Sequence, residues 1–313
     1  MRGITKSRVI GAGTMGHGIA QVFAQAGCDV ILTDMNREIL DAARSHIEAN
    51  LRFLAGYQLV EEDDIPAVIN RITFMTNDDE IPEDVELIIE AVPEDLELKQ
   101  KVLTTAETQC QDTTILSTTT SVIQVSDIGE PLSNPERFIG MHWMNPPHVL
   151  PLVEIIPGPS TSKKIVMQTK SFLEGQCGKK TVVCGDAPGF IVNRLAAAVL
   201  VEAAKMIEED VATFEDIDRA WKEHMGYILL KFGPFGNIDH IGLDVVTMAA
   251  NYLAFVLEDE RYRPPAWMQE KVNAGELGTK TGRGVYDYSG KTPEELRIER
   301  IQKLLDLIKK NTE

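Results

Sequence analysis

Three groups of residues have the types and spacing to do chemistry. The first is Gly11-Ala-Gly13-Thr-Met-Gly16, a G-x-G-x-x-G pattern between an apolar run, Arg8 to Ile10, and a helical pattern through Ile19, Ala20, Val22, Phe23 and Ala26. Gly11 permits a tight turn, Gly13 lets a pyrophosphate approach the backbone, and Gly16 lets helix and strand pack closely; the phosphates then rest on unpaired helix N-terminal amides. Asp34 ends the next strand, 18 residues after Gly16. A carboxylate there accepts hydrogen bonds from both adenosine ribose hydroxyls and repels a 2′-phosphate, so NAD is expected over NADP. Arg37 stands close enough to stack on adenine or to tolerate a phosphate. The competing reading is that the glycines mark only a sharp turn. His17 reads as a helix residue facing the groove rather than a catalyst.

The second and third groups are Ser117-Thr-Thr-Thr-Ser121 and a histidine–carboxylate pair, His142 in Gly140-Met-His142-Trp-Met-Asn145-Pro-Pro and Glu154 in Leu152-Val-Glu154. In a doubly wound sheet, ligands bind beyond the carboxyl ends of the strands, where such side chains converge. The chemistry that fits is alcohol oxidation: His142 takes the hydroxyl proton while hydride leaves for the cofactor, and a buried Glu154 fixes the imidazole tautomer. On residue types alone His142 reads equally well as a satisfied strand histidine, Glu154 as a surface acid, and Ser121 as a turn-capping hydroxyl. The acidic runs Glu61-Glu62-Asp63-Asp64 and Glu208-Glu209-Asp210 read as solvated segments, and no metal site is expected.

The elements that must position these residues alternate. A strand, the glycine turn and a helix ending at Gly27 lead to the strand Asp29 to Asp34; a helix through Ile39 to Leu54, the strand Val85 to Ala91, a helix through Leu96 to Cys110 and the strand Thr114 to Ser117 follow. This predicts an α/β fold, a Rossmann-type doubly wound parallel sheet with helices on both faces. From Phe190 onward the pattern is helical, so an all-helical C-terminal domain is expected, with the division at the turn-rich Gly185-Asp186-Ala-Pro-Gly189: residues 1–186 and 187–313. Thr292-Pro-Glu-Glu295 opens a last helix running to Lys309-Lys310. The chain has 313 residues, and 31 Lys+Arg against 48 Asp+Glu leave a net charge of −17. Such a balance argues against nucleic acid or an anionic membrane as partner, and any anionic ligand must be held locally. No apolar run reaches the roughly 18 to 20 residues that span a bilayer. No signal-peptide pattern opens the sequence, and four scattered cysteines form no ligand spacing, so a reduced, cytoplasmic setting is expected.

On these motifs the chain resembles the L-3-hydroxyacyl-CoA dehydrogenase family over essentially its whole length. The family's G-x-H-x-x-N-P falls on His142, its serine on Ser121 and its Leu-Val-Glu on Glu154, with spacings of 21 and 12 residues. The resemblance makes His142 the base, Glu154 its partner, Ser121 auxiliary, and Asn193 of Pro188-Gly-Phe-Ile-Val-Asn193-Arg the amide that binds the substrate oxygen, stabilising charge there. It implies that Glu94 and Lys99 of Glu90-Ala-Val-Pro-Glu94-Asp-Leu-Glu-Leu-Lys99 contact the nicotinamide side of NAD. It adds Thr14 and Met15 of the glycine turn, Ala91, Val92, Thr119 and Asn145 to the cofactor-binding set. Asp239, Gly242-Leu-Asp244 and Lys280-Thr-Gly-Arg-Gly-Val-Tyr286 also match and read as structural. A homodimer follows from the resemblance and from apolar helices that a small helical domain hardly buries alone.

Departures bear on the substrate. Thr119 stands where the family commonly has Asn. Trp143-Met-Asn145-Pro-Pro-His148-Val-Leu-Pro151 is more similar to relatives that oxidise free hydroxy acids, such as L-gulonate and L-carnitine dehydrogenases. In Asn50 to Leu59, the region over the CoA moiety, Gln58 replaces a common basic residue and Arg52 is the one cation. The expected reaction is oxidation of an L-3-hydroxyacyl-CoA, such as 3-hydroxybutyryl-CoA, to the 3-keto compound, in fatty acid metabolism. The alternative is the same chemistry on a free hydroxy acid, with Trp143 and Trp221 as cation-π walls for a quaternary ammonium. A third reading is a non-catalytic NAD-binding protein.

Overall fold

The computed structural model describes residues 3–76, 82 and 84–312. Its first part alternates: β1 (Lys6–Ile10), α1 (Gly16–Gln25), β2 (Asp29–Asp34), α2 (Arg37–Gly56), α3 (Ile65–Asn70), β3 (Ile72–Thr76), β4 (Leu87–Glu90), α4 (Leu96–Thr108), β5 (Ile115–Thr118), α5 (Val125–Gly129), β6 (Phe138–Trp143), β7 (Leu152–Pro157), α6 (Lys163–Gly175) and β8 (Lys180–Val183). A long helix, α7 (Val192–Glu208), leads into α8 (Phe214–Ala220), α9 (Gly226–Ile241), α10 (Leu243–Val256), α11 (Ala266–Asn273) and α12 (Pro293–Thr312).

The strands form one eight-stranded sheet among the described residues, in the order β3-β2-β1-β4-β5-β6-β7-β8. From β3 to β6 all neighbours are parallel; β7 pairs antiparallel with β6, and β8 parallel with β7. The sheet is mostly parallel, as expected, and departs from this at one edge, where β7 and β8 run the other way. The physical reason is the connection: residues 144–151 hold no crossover helix, and a short link joins only antiparallel neighbours. Strand order reverses between β1 and β4, so a crevice opens beyond their carboxyl ends.

Both faces of the sheet are covered, which is why its strands read as apolar runs rather than alternations. On β1, Val9 joins one core cluster, with Leu32, Ile89, Phe23 and Ile47; Ile10 joins the other, with Ile31, Ile88, Leu103 and Leu116. Helix α2 buries Leu40, Ala43, Ile47, Leu51 and Leu54, a stripe at helical spacing, and starts on the Asn36 side chain, which accepts from the Glu38 amide.

By contact density the chain forms two compact units, Met1–Leu200 and Val201–Glu313. The division falls inside α7, later than the turn at residues 185–189, because the first turn of α7 is hydrogen-bonded to the sheet, as described below. The second unit is helical. Its Asp239 is fully buried and accepts from the Val285 and Tyr286 amides and the Tyr288 hydroxyl. A Cβ on Gly284 would lie 2.2 Å from Asp239 Oδ1, which gives the Gly-Arg-Gly-Val-Tyr motif its packing role. No helix of the described residues is long and apolar enough to cross a membrane.

Candidate active site

The glycine turn has the geometry that its spacing predicts. Gly11 has φ +101° and a Cβ on it would meet the Ala91 carbonyl oxygen at 2.6 Å; a Cβ on Gly16 would sit 1.7 Å from the Gly11 carbonyl oxygen. A Cβ on Gly13 meets nothing within 4 Å, so the space above the turn is open. Among the described residues no side chain caps α1 and no acid lies in its first turn, leaving the amides near Thr14 and Met15 for a ligand anion. Asp34 Oδ2 accepts from the Ala12 amide at 2.8 Å and Oδ1 from the Met35 amide at 2.8 Å. A carboxylate offers about four lone-pair sites, so two remain for a pair of ribose hydroxyls. Arg37 is exposed, ion-paired with Asp41 at 3.5 Å and bonded to the Phe74 carbonyl at 3.3 Å.

Across the crevice, a buried cluster shapes the loops after β4 and β5. Glu90 and Lys99 are both buried; the ammonium donates to Glu90 Oε1 at 2.9 Å and to the Val92 carbonyl at 3.3 Å, and lies 3.2 Å from Glu94 Oε2. An ammonium has three donors, and all three are engaged. Lys99 thus pins the Ala91–Glu94 loop, the segment expected to face the cofactor. Glu94 Oε1 accepts from the Thr120 hydroxyl and from the Ser121 and Val122 amides, which fixes the turn carrying Ser121. Burial works against the charge on Glu94, but the Thr120 hydroxyl, the Val122 amide, Lys99 and the Ser121 amide outweigh it and bring the carboxyl down to about 2. Thr119 Oγ1, beside this turn, is buried without a hydrogen-bond partner among the described residues. An orphaned hydroxyl just beyond the carboxyl end of β5 suits a ligand that brings a polar group to that edge of the sheet.

His142 and Glu154 stand directly opposite one another on β6 and β7. Register alone puts both side chains on one face of the ladder. His142 Nδ1 lies 2.6 Å from Glu154 Oε2, with the carboxylate fully buried and the imidazole nearly so. A carboxylate only accepts, so Nδ1 carries the proton and Nε2 keeps a lone pair for a substrate. The other oxygen, Glu154 Oε1, accepts from the Ile191 and Val192 amides, each at 3.0 Å, at the start of α7. Those amides are aimed by left-handed residues at Gly189 (φ 71°) and Phe190 (φ 49°), the latter a conformation that costs a non-glycine residue about 1 kcal/mol or more. The Phe190 ring lies 5.8 Å from the His142 ring. One residue on, Asn193 Nδ2 donates to the Ser121 carbonyl at 2.8 Å. The first turn of α7 thus joins two pairs, His142 with Glu154 and Ser121 with Asn193.

Asn145 is exposed on the loop between β6 and β7. That loop is held from below by Lys179, whose buried ammonium donates to the Pro147 carbonyl at 2.6 Å and the Leu150 carbonyl at 2.9 Å and lies 5.7 Å from the centre of the Trp143 ring. Trp143 is 2% exposed and packs edge-on against Phe23. The reading of Trp143 as a pocket wall is therefore corrected: it is core, and a lysine already covers its face. Sequence reasoning missed Lys179 and Glu90. Glu90 left a signal, a carboxylate ending the strand Leu-Ile-Ile-Glu; Lys179, in a Gly-Lys-Lys run, left none.

A doubly wound sheet with a glycine-turn crevice and a histidine–carboxylate pair beside it defines an NAD-dependent oxidoreductase. Residues 6–187 match the 3-hydroxyacyl-CoA dehydrogenase NAD binding domain and residues 189–288 its C-terminal domain. The chain belongs to the 3-hydroxyacyl-CoA dehydrogenase family. It is 37% identical over 289 residues to a probable 3-hydroxybutyryl-CoA dehydrogenase of Bacillus subtilis, covering 92% of this chain and 99% of the relative. A 3-hydroxyacyl-CoA dehydrogenase structure from Archaeoglobus fulgidus is 43% identical, with TM-score 0.81 and coverage of 97% and 99%. A dehydrogenase of a substituted pyridine carboxylic acid, an NAD-dependent dismutase, is 30% identical, with TM-score 0.73 and coverage of 97% of each chain.

Proposed function

We propose that the protein oxidises the 3-hydroxyl of an L-3-hydroxyacyl-CoA, with 3-hydroxybutyryl-CoA as the simplest case, to the 3-keto thioester. The observation that carries this reading is the His142–Glu154 bond, which leaves Nε2 of a buried imidazole as the one basic atom of the pair. Bound NAD would supply the acceptor for the hydride of the carbinol carbon. His142 Nε2 removes the hydroxyl proton as the C–H electron pair departs and the carbonyl double bond forms. Glu154, held by two amides of α7, stabilises the imidazolium through Nδ1–H. The Ser121 hydroxyl and the second N–H of the Asn193 amide hydrogen-bond the oxygen on which charge develops. In reverse, the same imidazolium protonates the ketone. Gly11, Gly13, Thr14, Met15 and Gly16 hold the diphosphate, Asp34 and Arg37 the adenosine end, and Ala91, Val92, Thr119 and Asn145 the nicotinamide end, with Glu94 fixing the loop between. Two copies of the chain associate, since α7, 17 residues rich in Leu, Ala and Val, has no buried residue.

A second reading, the same chemistry on a free hydroxy acid, draws on Arg52 as the one cation of residues 50–59, exposed and ion-paired with Glu48 at 2.6 Å, and on the pyridine-acid dehydrogenase likeness. NADH formation with (S)-3-hydroxybutyryl-CoA, run beside free (S)-3-hydroxybutyrate, L-carnitine and L-gulonate, separates the two. A rate confined to the thioester supports the proposal. Turnover of a free acid with silence on the thioester overturns it in favour of the second reading.

A further inference from the structure

The turn Gly185-Asp186-Ala-Pro-Gly189, where the sequence passes from alternating to helical pattern, does more than divide the two. Asp186 reaches back to the loop after β5. Its Oδ1 accepts from the Val125 amide at 2.7 Å and its Oδ2 from the Ser126 amide at 2.8 Å, while its own carbonyl accepts from Gln124 Nε2 at 3.3 Å. Three residues on, the Gly189 amide donates to the Val122 carbonyl at 3.3 Å, and Asn193 Nδ2 donates to the Ser121 carbonyl. From the opposite side Glu94 accepts from the Thr120 hydroxyl and from the Ser121 and Val122 amides. Residues 120–126 are therefore clasped between two carboxylates, one just before α4 and one just before α7. Packing gives this turn little help, since Val122 is 49% exposed, so hydrogen bonds must hold it.

We propose that Asp186 is a positioning residue for the reaction, holding the turn that carries Ser121 in place against the first turn of α7. Residues 189–193 already touch both halves of the site: the Ile191 and Val192 amides hold Glu154, and Asn193 holds the Ser121 carbonyl. Asp186 closes the same connection at its other end, so the Ser121 hydroxyl keeps a fixed place relative to the His142–Glu154 pair. Two neighbouring amides need two acceptors, and a carboxylate supplies both, whereas a carboxamide offers one oxygen. Rate is sensitive to such placement, because a shift of about 1 Å in a reacting group can cost about a hundredfold. The inference rests on the roles of Ser121, His142 and Glu154 in the proposed function. Asp186 itself touches neither substrate nor cofactor in that scheme and acts through the turn.

Turnover by Asp186→Ala, Ser121→Ala and the double variant, on the substrate that the panel above selects, tests it. Asp186→Ala is expected to lower kcat about tenfold or more, with NADH affinity within about twofold, and to add less than about twofold to the loss already caused by Ser121→Ala. Asp186→Asn keeps one acceptor and the shape of the side chain, so its kcat should lie between those of the parent and the alanine variant even where the latter folds poorly. Amide hydrogen exchange reads the same geometry without turnover: in Asp186→Asn, residues 120–126 should exchange faster and the glycine turn at residues 11–16 should not. A side chain that only supported the fold would act independently of Ser121, so losses in kcat that multiply in the double variant overturn the proposal. Unchanged exchange over residues 120–126 does the same. A Ser121→Ala protein as fast as its parent removes the role of Ser121 and takes this inference with it; a slow Ser121→Ala beside an Asp186→Ala at the parent rate overturns this inference alone.

Discussion

Glu154 does more than accompany His142. Its two oxygens divide their work, one orienting the imidazole and the other anchored on α7. In Glu154→Gln the amide N–H faces the Nδ1 proton, and the imidazole relieves this by moving its proton to Nε2, where it can no longer act as base. We expect kcat to drop by about 10³ to 10⁴ while NADH affinity, read by fluorescence titration, stays within about twofold; a kcat within about tenfold of the parent value would sink the proposed pair. Glu94 gives a pH-dependent counterpart. Its folded-state carboxyl is lowered from 4.5 to about 2, so its stabilisation is complete above 4.5 and is lost as pH falls towards 2. With about a third of the side chain exposed, about 1 to 2 kcal/mol is a fair scale. In Glu94→Gln, acid unfolding between those values should be flatter than in the parent, and parallel acid limbs would refute the assignment.

At the scale of elements, the loop between β6 and β7 depends on one side chain. Lys179→Met keeps the stem and removes the ammonium, stranding the Pro147 and Leu150 carbonyls. The expected loss is about 2 to 3 kcal/mol, seen as a lower Tm, with faster amide hydrogen exchange confined to residues 145–151 and a raised KM. Unchanged exchange in that loop would show that Lys179 does not hold it. Elements were legible where the pattern was long or punctuated. β2 spans Asp29–Asp34 as the sequence indicates, since glycine and asparagine bracket an apolar run, and Thr292 caps the last helix where expected, exchanging hydrogen bonds with Glu295. β3 and β8 were not legible: Ile-Thr-Phe-Met-Thr and Lys-Thr-Val-Val are short and partly exposed, and neither period stands out. The direction of β7 is a property of its connection, invisible in its own residues.

For the whole molecule the open question is assembly, and α10 addresses it. Val245, Met248, Tyr252 and Phe255 follow one another at helical spacing and are 43%, 68%, 66% and 80% exposed. A stripe of that size in water calls for a partner, and a second copy of the chain fits the proposal. Sedimentation velocity at about micromolar concentration should give a dimer, with Phe255→Glu shifting it to monomer while the helical circular dichroism is retained; a parent protein that sediments as a monomer would refute the dimer. Residue types alone left His142 and Glu154 undecided; it is their burial against one another across β6 and β7, which a sequence does not display, that makes the pair stand out. The dimer expectation leans on resemblance as much as on residues, since an apolar helix reads the same whether its cover is its own chain or another.

The cross-strand pairing of His142 with Glu154 also has a consequence for how such a protein can diversify. Ladder hydrogen bonds set the spacing of the pair, and the loop that closes this hairpin lies outside the ladder. Its length and side chains can change without moving either member, provided two carbonyls still reach Lys179. The hairpin is therefore a graftable cassette: exchanging residues 144–151 for those of a relative is expected to change substrate preference, read by kcat/KM across the substrate panel, while leaving the His142–Glu154 pair in place.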